Sequence, residues 1–338
     1  MRHRALAALT RLAGIAALGA ALGGCAFVLP QSEALRTHWP DRLDPKVELT
    51  AVPFFPQEDY QCGPAALATV LVFDGVAVTP EALVSKVYLP ERHGSLQLEM
   101  LAAPRAYGVV SAQLAPRFED VLREVEAGTP VILLQDYGVW PFRVWHYAVL
   151  VGYDRERDEA VLRSGVKERL RMPFRVFEYL WKKSDYWAIV AMRPDRIPVT
   201  ADERTWSAAV AAMERVAPHA ASRTAYRTLL ARWPESLNGT IGLANVEYAE
   251  GDLPGSEKLL REAVARHPES TVALNNLAQV LSDQHRHREA LQIIDRAVGL
   301  GGPFQAAAEQ TRAQIREKMR DGSLRDTVGP RQHPKETP

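Results

Sequence analysis

Three hydrophobic patterns follow one another along the 338-residue chain. The first is an Ala/Leu/Gly run from Leu12 to Leu22, too short to span a bilayer comfortably. In the second, between Val52 and Met192, apolar stretches are separated by turn residues. The stretch opening at Cys62 carries Pro64 in its first turn, stays apolar through Phe73 and closes at Asp74-Gly75, which predicts a buried helix. Val131 to Gln135, the alternating β-branched run Trp145 to Tyr153, Ala160 to Gly165 and Tyr186 to Val190 predict strands. The third pattern begins after the breaker-rich Pro194 to Thr200 stretch, where strands give way to Ala/Leu/Arg/Glu helical spacing. A boundary near Val199 follows, and with it an α+β domain ahead of an all-α domain.

The all-α part repeats at 34 residues. Pro234-Glu235-Ser236 recurs as Pro268-Glu269-Ser270, Leu243 as Leu277, Ala244 as Ala278, Ser256 as Ala290 and Ala263 as Ala297. Small residues recur where paired helices must approach closely. The pattern resembles tetratricopeptide repeats, with Gly251 at the turn between helices and His285 where that turn usually has Gly. A degenerate unit runs from Trp206 to Trp233, and a helix from Pro303 to Met319 closes the array. Arrays of this kind imply a protein or peptide partner. His285-Arg286-His287 has no third ligand nearby and reads as a solvated turn.

The amino-terminal run has a basic start (Arg2, His3, Arg4, Arg11) and ends in Leu22-Gly23-Gly24-Cys25, which resembles the lipobox of bacterial lipoproteins. The resemblance implies a signal peptide over residues 1–24 and lipidation of Cys25. With Ala26 rather than Asp next, it also implies anchoring at the periplasmic face of the outer membrane. Residues 25–50, with Pro30, Pro40 and Pro45, read as a tether, and residues 320–338 as a disordered polar tail. Charge changes little in this picture: Lys+Arg and Asp+Glu stand at 41 each, so no nucleic-acid or polyanion partner is indicated.

Cysteine usage sharpens it. An acylated Cys25 leaves Cys62 as a solitary thiol in an oxidising compartment. Cys62 opens the predicted buried helix, where free N–H groups and the macrodipole are expected to lower its pKa. Those N–H groups could also hold an oxyanion, with the Gln57 amide as a second donor. A thiol nucleophile needs an imidazole. Within this domain only His93 and His146 are available, His93 in a loop and His146 at the head of a rigid strand.

Gln57 with Cys62-Gly63-Pro64-Ala65, then Gly94-Ser95, then His146-Tyr147-Ala148-Val149-Leu150-Val151-Gly152-Tyr153-Asp154 resemble the papain-like peptidase family that processes bacteriocin precursors after a double-glycine leader. The likeness implies a papain-like cysteine peptidase domain over residues 51–193 and helical repeats over 200–319. Cys62 would be the nucleophile, His146 the base and Gln57 an oxyanion donor, acting on a peptide or flexible protein segment. The sequence departs from the family where the Asp that orients the histidine usually stands: it reads Arg163-Ser164-Gly165. Ser164, Asp136, and Asp154 or Asp158 in the hairpin turn remain as candidates, as does the absence of a third member, which would leave a peptide-binding protein that does not cleave. No phosphate loop and no His-Glu-x-x-His occurs, so no cofactor or metal is implied.

Overall fold

The computed structural model describes residues 29–56, 61–92 and 94–327. They divide into two units. Residues up to Arg193 with Pro198–Ala201 form one, and Pro194–Ile197 with the residues from Asp202 onward form the other.

The first unit is built on an antiparallel sheet. Its path runs β4 (Val110–Gln113), β9 (Ala188–Met192), β5 (Val131–Asp136), β6 (Trp145–Asp154), β7 (Glu159–Ser164) and β8 (Lys167–Pro173), and β1 (Lys46–Glu48) pairs with the far end of β6. Side chains alternate between faces along each strand. Leu134, Tyr147, Val149, Val151, Ile189 and their neighbours meet α2 (Cys62–Phe73), with Leu83 and Val87 of α3 (Pro80–Val87) and Met100 of α4 (Gln97–Ala102), in a single apolar cluster. That helix buries every residue from Gly63 to Leu71, which explains why it is apolar all round rather than amphipathic. Burying a leucine such as Leu67 contributes about 2 kcal/mol over leaving it exposed. On the other face, α5 (Phe118–Glu126) and α6 (Phe174–Lys182) bring Phe118, Phe174, Phe177 and Trp181 together, with ring centroids 4.8–6.1 Å apart. Because both faces are covered, β5 is buried along its whole length.

Residues 29–50 are not a tether. The α1 helix (Pro30–Thr37) has its first turn held by the buried Glu178 carboxylate, which accepts from the Gln31 and Ser32 N–H groups at 3.1 and 2.6 Å. Leu35 and Leu43 are buried, and Trp39 stacks on Phe174. Two leucines and an indole among polar and proline residues carry too weak a periodicity to be read as packed structure. Residues 25–28 of the expected tether, and the expected signal segment with Cys25, lie outside the described residues.

The second unit consists of helix pairs: α7 (Glu203–Glu214) with α8 (His219–Arg232), α9 (Leu237–Ala249) with α10 (Leu253–Arg266), and α11 (Thr271–Asp283) with α12 (His287–Leu300), closed by α13 (Gln305–Thr327). The recurring Pro-Glu-Ser has a clear reason. The Ser236 and Ser270 hydroxyls cap the next helix, accepting from Gly239 N–H at 3.1 Å and Ala273 N–H at 3.2 Å. His285 holds the left-handed conformation that Gly251 holds one repeat earlier, φ 61° against 87°. The final helix continues to Thr327, so 320–327 belong to it rather than to a disordered tail, and residues 328–338 lie outside the described part.

Candidate active site

Cys62 is the first residue of α2, half-buried, with its sulfur lying against strand β6. Gly63 makes this approach possible. A Cβ there would sit 2.2 Å from Ser95 Oγ and 2.6 Å from Ser95 Cβ, so any larger residue would push α2 off the short strand β3 (Gly94–Ser95). Burial pushes the Cys62 thiol up, and the backbone N–H groups of Tyr147, Gly63 and Cys62 itself, all directed at the sulfur, offset this only in part. The expectation of a depressed thiol pKa is therefore corrected. Helix-terminal N–H groups do reach the sulfur, but desolvation by the apolar core outweighs them.

His146 stands at the second position of β6, one residue before the Tyr147 amide that faces the sulfur. Its Nε2 lies 2.9 Å from Ser164 Oγ at the end of β7, and the Tyr137 ring meets the imidazole edge-on at 5.6 Å. The Tyr137 hydroxyl lies within hydrogen-bonding reach of Ser164 and donates to Gln135 Oε1 at 3.1 Å. Burial lowers the His146 pKa to about 4, with no carboxylate among the described residues to oppose the shift. With the proton on Nε2 the ring donates to Ser164, which leaves Nδ1 as an acceptor. Both shifts, raised for the thiol and lowered for the imidazole, favour the neutral forms among the described residues.

The other candidates for the third member are engaged elsewhere. Asp136 lies buried at the end of β5, where Arg143 Nη1 (2.6 Å), Gly138 N–H (2.8 Å) and Val144 N–H (2.9 Å) occupy its oxygens. Burial alone would raise its pKa, yet these donors hold it below the usual carboxylate value. Asp154 pairs with Lys46 at 3.0 Å and receives the Arg157 N–H, and Asp158 senses Arg36 and Arg175. Arg163, unable to accept, donates to the Val52 and Glu168 carbonyls. The structure holds His146 against Ser164 and Tyr137, and it sets the Cys62 sulfur against the amide of Tyr147, the next residue along the same strand. Gln57 and His93 lie outside the described residues. Sequence reading overlooked Tyr137, two residues past a buried strand, and the Gly63–Ser95 contact, for which the only sequence signal was a glycine beside a candidate nucleophile.

An α+β domain with a helix-opening cysteine and a strand histidine thus stands ahead of a helical-repeat array, and both parts match known families. Residues 49–188 match the Peptidase_C39 like family, and residues 219–271 and 247–315 match tetratricopeptide repeat families. Among solved structures, a putative C39-like peptidase from Bacillus anthracis is 20% identical, with 44% of this chain and 98% of that one covered and a TM-score of 0.36. A double-glycine motif protease from an AMS/PCAT transporter, solved with its leader peptide, is 23% identical over 45% of this chain and 94% of its own, with a TM-score of 0.31. The repeats are similar to the Sgt2 tetratricopeptide domain of Aspergillus fumigatus, 15% identical over 40% of this chain and 90% of its own, with a TM-score of 0.34. A comparison with curated proteins gives no match.

Proposed function

We propose that the first unit is a cysteine peptidase in which His146 takes the Cys62 proton as the thiolate attacks a peptide carbonyl. The attack forms a carbon–sulfur bond, and the carbonyl electrons pass to oxygen. The Cys62 backbone N–H at the start of α2 is suited to stabilise that oxygen, with Gln57 as the second donor. His146 then protonates the leaving amine, and water releases the acyl group. Because both shifts favour neutral partners, proton transfer belongs to the attack itself rather than to a preformed ion pair. The observation that carries this reading is the Ser164 contact: it fixes the imidazole through Nε2 on the strand whose next amide faces the Cys62 sulfur. Incubating the protein with a mixed peptide library and reading products by mass spectrometry tests it. Cleavage that disappears in Cys62→Ala supports the reading, and cleavage unchanged in Cys62→Ala refutes it.

A second reading is favoured by one observation. A raised thiol, a lowered imidazole and a hydroxyl, rather than a carboxylate, as the ring's partner among the described residues also suit a domain that binds peptides without cutting them. Absence of products together with peptide binding that survives Cys62→Ala would select it.

The repeats are proposed to bind a protein partner. The sequence of residues 1–25 supports a lipid anchor on Cys25 at the periplasmic face of the outer membrane. Labelled palmitate incorporated by the natural protein and lost in Cys25→Ser is the expected result.

A further inference from the structure

Asp136, which ends β5, and Trp145, which begins β6, are joined by Tyr137-Gly138-Val139-Trp140-Pro141-Phe142-Arg143-Val144. This hairpin gives its large apolar side chains to solvent, and increasingly so toward its tip. Tyr137 and Trp145 at the base are 43% and 48% exposed, while Val139, Trp140 and Phe142 reach 71%, 82% and 76%. Exposed apolar patches of this density mark interaction sites. The protrusion is not a loose loop. Val139 and Phe142 bridge across it, Tyr137 N–H donates to the Val144 carbonyl at 2.9 Å, and the buried Asp136 carboxylate holds Gly138, Val144 and Arg143 from below. Lys183 Nζ adds bonds to the Asp136 and Gly138 carbonyls at 3.1 and 2.8 Å. A Cβ on Gly138 would sit 2.1 Å from the Phe142 carbonyl oxygen, so the narrow form depends on glycine there.

We propose that this hairpin is an interfacial anchor that seats the sheet end carrying Cys62, His146 and Ser164 on a lipid surface. Shape argues for lipid over a peptide. The apolar side chains grow more exposed toward the tip, whereas a peptide site needs walls that cover them. Composition argues the same way. No acid occurs between Tyr137 and Trp145, the charge of Arg143 is already balanced by the Asp136 carboxylate below, and two of the projecting side chains are the indoles that favour the headgroup boundary. The neighbouring turn from β7 to β8 leaves the same end of the sheet and presents Val166, 77% exposed, followed by Lys167. Glu168 and Asp185 are also exposed near that end, so the apolar contribution leads and the cationic one assists. A tip already ordered in the free protein loses little conformational entropy on insertion.

The inference does not depend on cleavage, and its test separates the two. The full chain is mixed with vesicles of phosphatidylcholine and phosphatidylglycerol carrying brominated acyl chains, and tryptophan quenching is read with and without the Cys62→Ala substitution. Quenching in both, most of it lost in Trp140→Tyr, is the expected result, because the bromines then sit beside that indole whatever anchors the amino terminus. The double substitution Val139→Ser with Phe142→Ser, which keeps the Trp140 reporter, is expected to weaken this local insertion by roughly tenfold or more at an unchanged melting temperature, since the removed side chains are 71% and 76% exposed in the free protein. Quenching that is absent, or that is the same in Trp140→Tyr, overturns the proposal. So does a double variant that loses peptide binding while its vesicle quenching stays intact, which would make the hairpin a substrate surface.

Discussion

Strand β6 has a buried polar group on each side, and the two are put to different uses. At the end of β5, Asp136 is a full charge with three donors on its oxygens, and it fastens the exposed hairpin. At the end of β7, Ser164 is neutral and holds one ring nitrogen of His146. The fold therefore puts its carboxylate where geometry must be rigid and a hydroxyl where a histidine must be aimed. A hydroxyl can orient an imidazole as well as a carboxylate can, but it does little to stabilise the imidazolium, and so burial alone sets the His146 pKa at about 4. Orientation and charge stabilisation are separable in this site.

Breaking the charged side should have the largest effect. Asp136→Ala leaves two N–H groups and a guanidinium without their acceptor, and a loss of about 3 kcal/mol in chemical denaturation is expected. Arg143 is half-exposed, so Arg143→Ala should cost under about 1 kcal/mol, and a loss equal to that of Asp136→Ala would show that the ion pair rather than the backbone N–H groups holds the hairpin.

Supplying a charge on the neutral side is the complementary experiment. Ser164→Asp should raise the His146 pKa and stabilise a thiolate–imidazolium pair, so that iodoacetamide alkylation of Cys62 at pH 7 quickens about tenfold. Ser164→Ala should leave alkylation slow while lowering any peptide turnover, because orientation alone is lost. NMR titration of the imidazole reports the shift directly. The unfolded chain takes up the His146 proton near 6.5, well before the folded one does near 4. The stability due to the neutral ring is therefore complete above about pH 6.5 and declines as pH falls toward 4. By raising the folded value toward 6.5, Ser164→Asp should shrink this loss or abolish it.

A small effect is expected in the repeats. His285→Gly removes a side chain from a left-handed backbone and should stabilise that unit by about 1 kcal/mol, read as a higher melting temperature. Gly251→Ala, at the corresponding turn, should shift it the other way by a similar amount.

Legibility in the sequence followed the range of the forces involved. The Cys62–Phe73 helix and strands β5 to β7 could be read because continuous apolar runs bounded by Pro, Gly and Asp signal burial locally. The repeats could be read because each helix pair meets the same neighbour again 34 residues on, which forces Ser236 and Ser270, or Ala244 and Ala278, to recur. The packed segment at residues 29–50 was missed because its anchors are few and the carboxylate that caps its helix, Glu178, lies almost 150 residues away. The hairpin was missed for the opposite reason. Apolar residues in sequence suggest burial, and Val139, Trp140 and Phe142 are exposed.

By itself the sequence determined that a lone cysteine opens a buried helix, that a histidine heads a later strand, and that a periodic helical array comes after them, since each follows from residue types and spacings within one element. Which group stands behind His146, and whether Cys62 rests as thiol or thiolate, were decided only by the tertiary structure. Both depend on what other strands and helices bring within a few ångströms of one atom: Ser164 rather than Asp136 at the ring, and enough apolar core around the sulfur to outweigh the helix terminus.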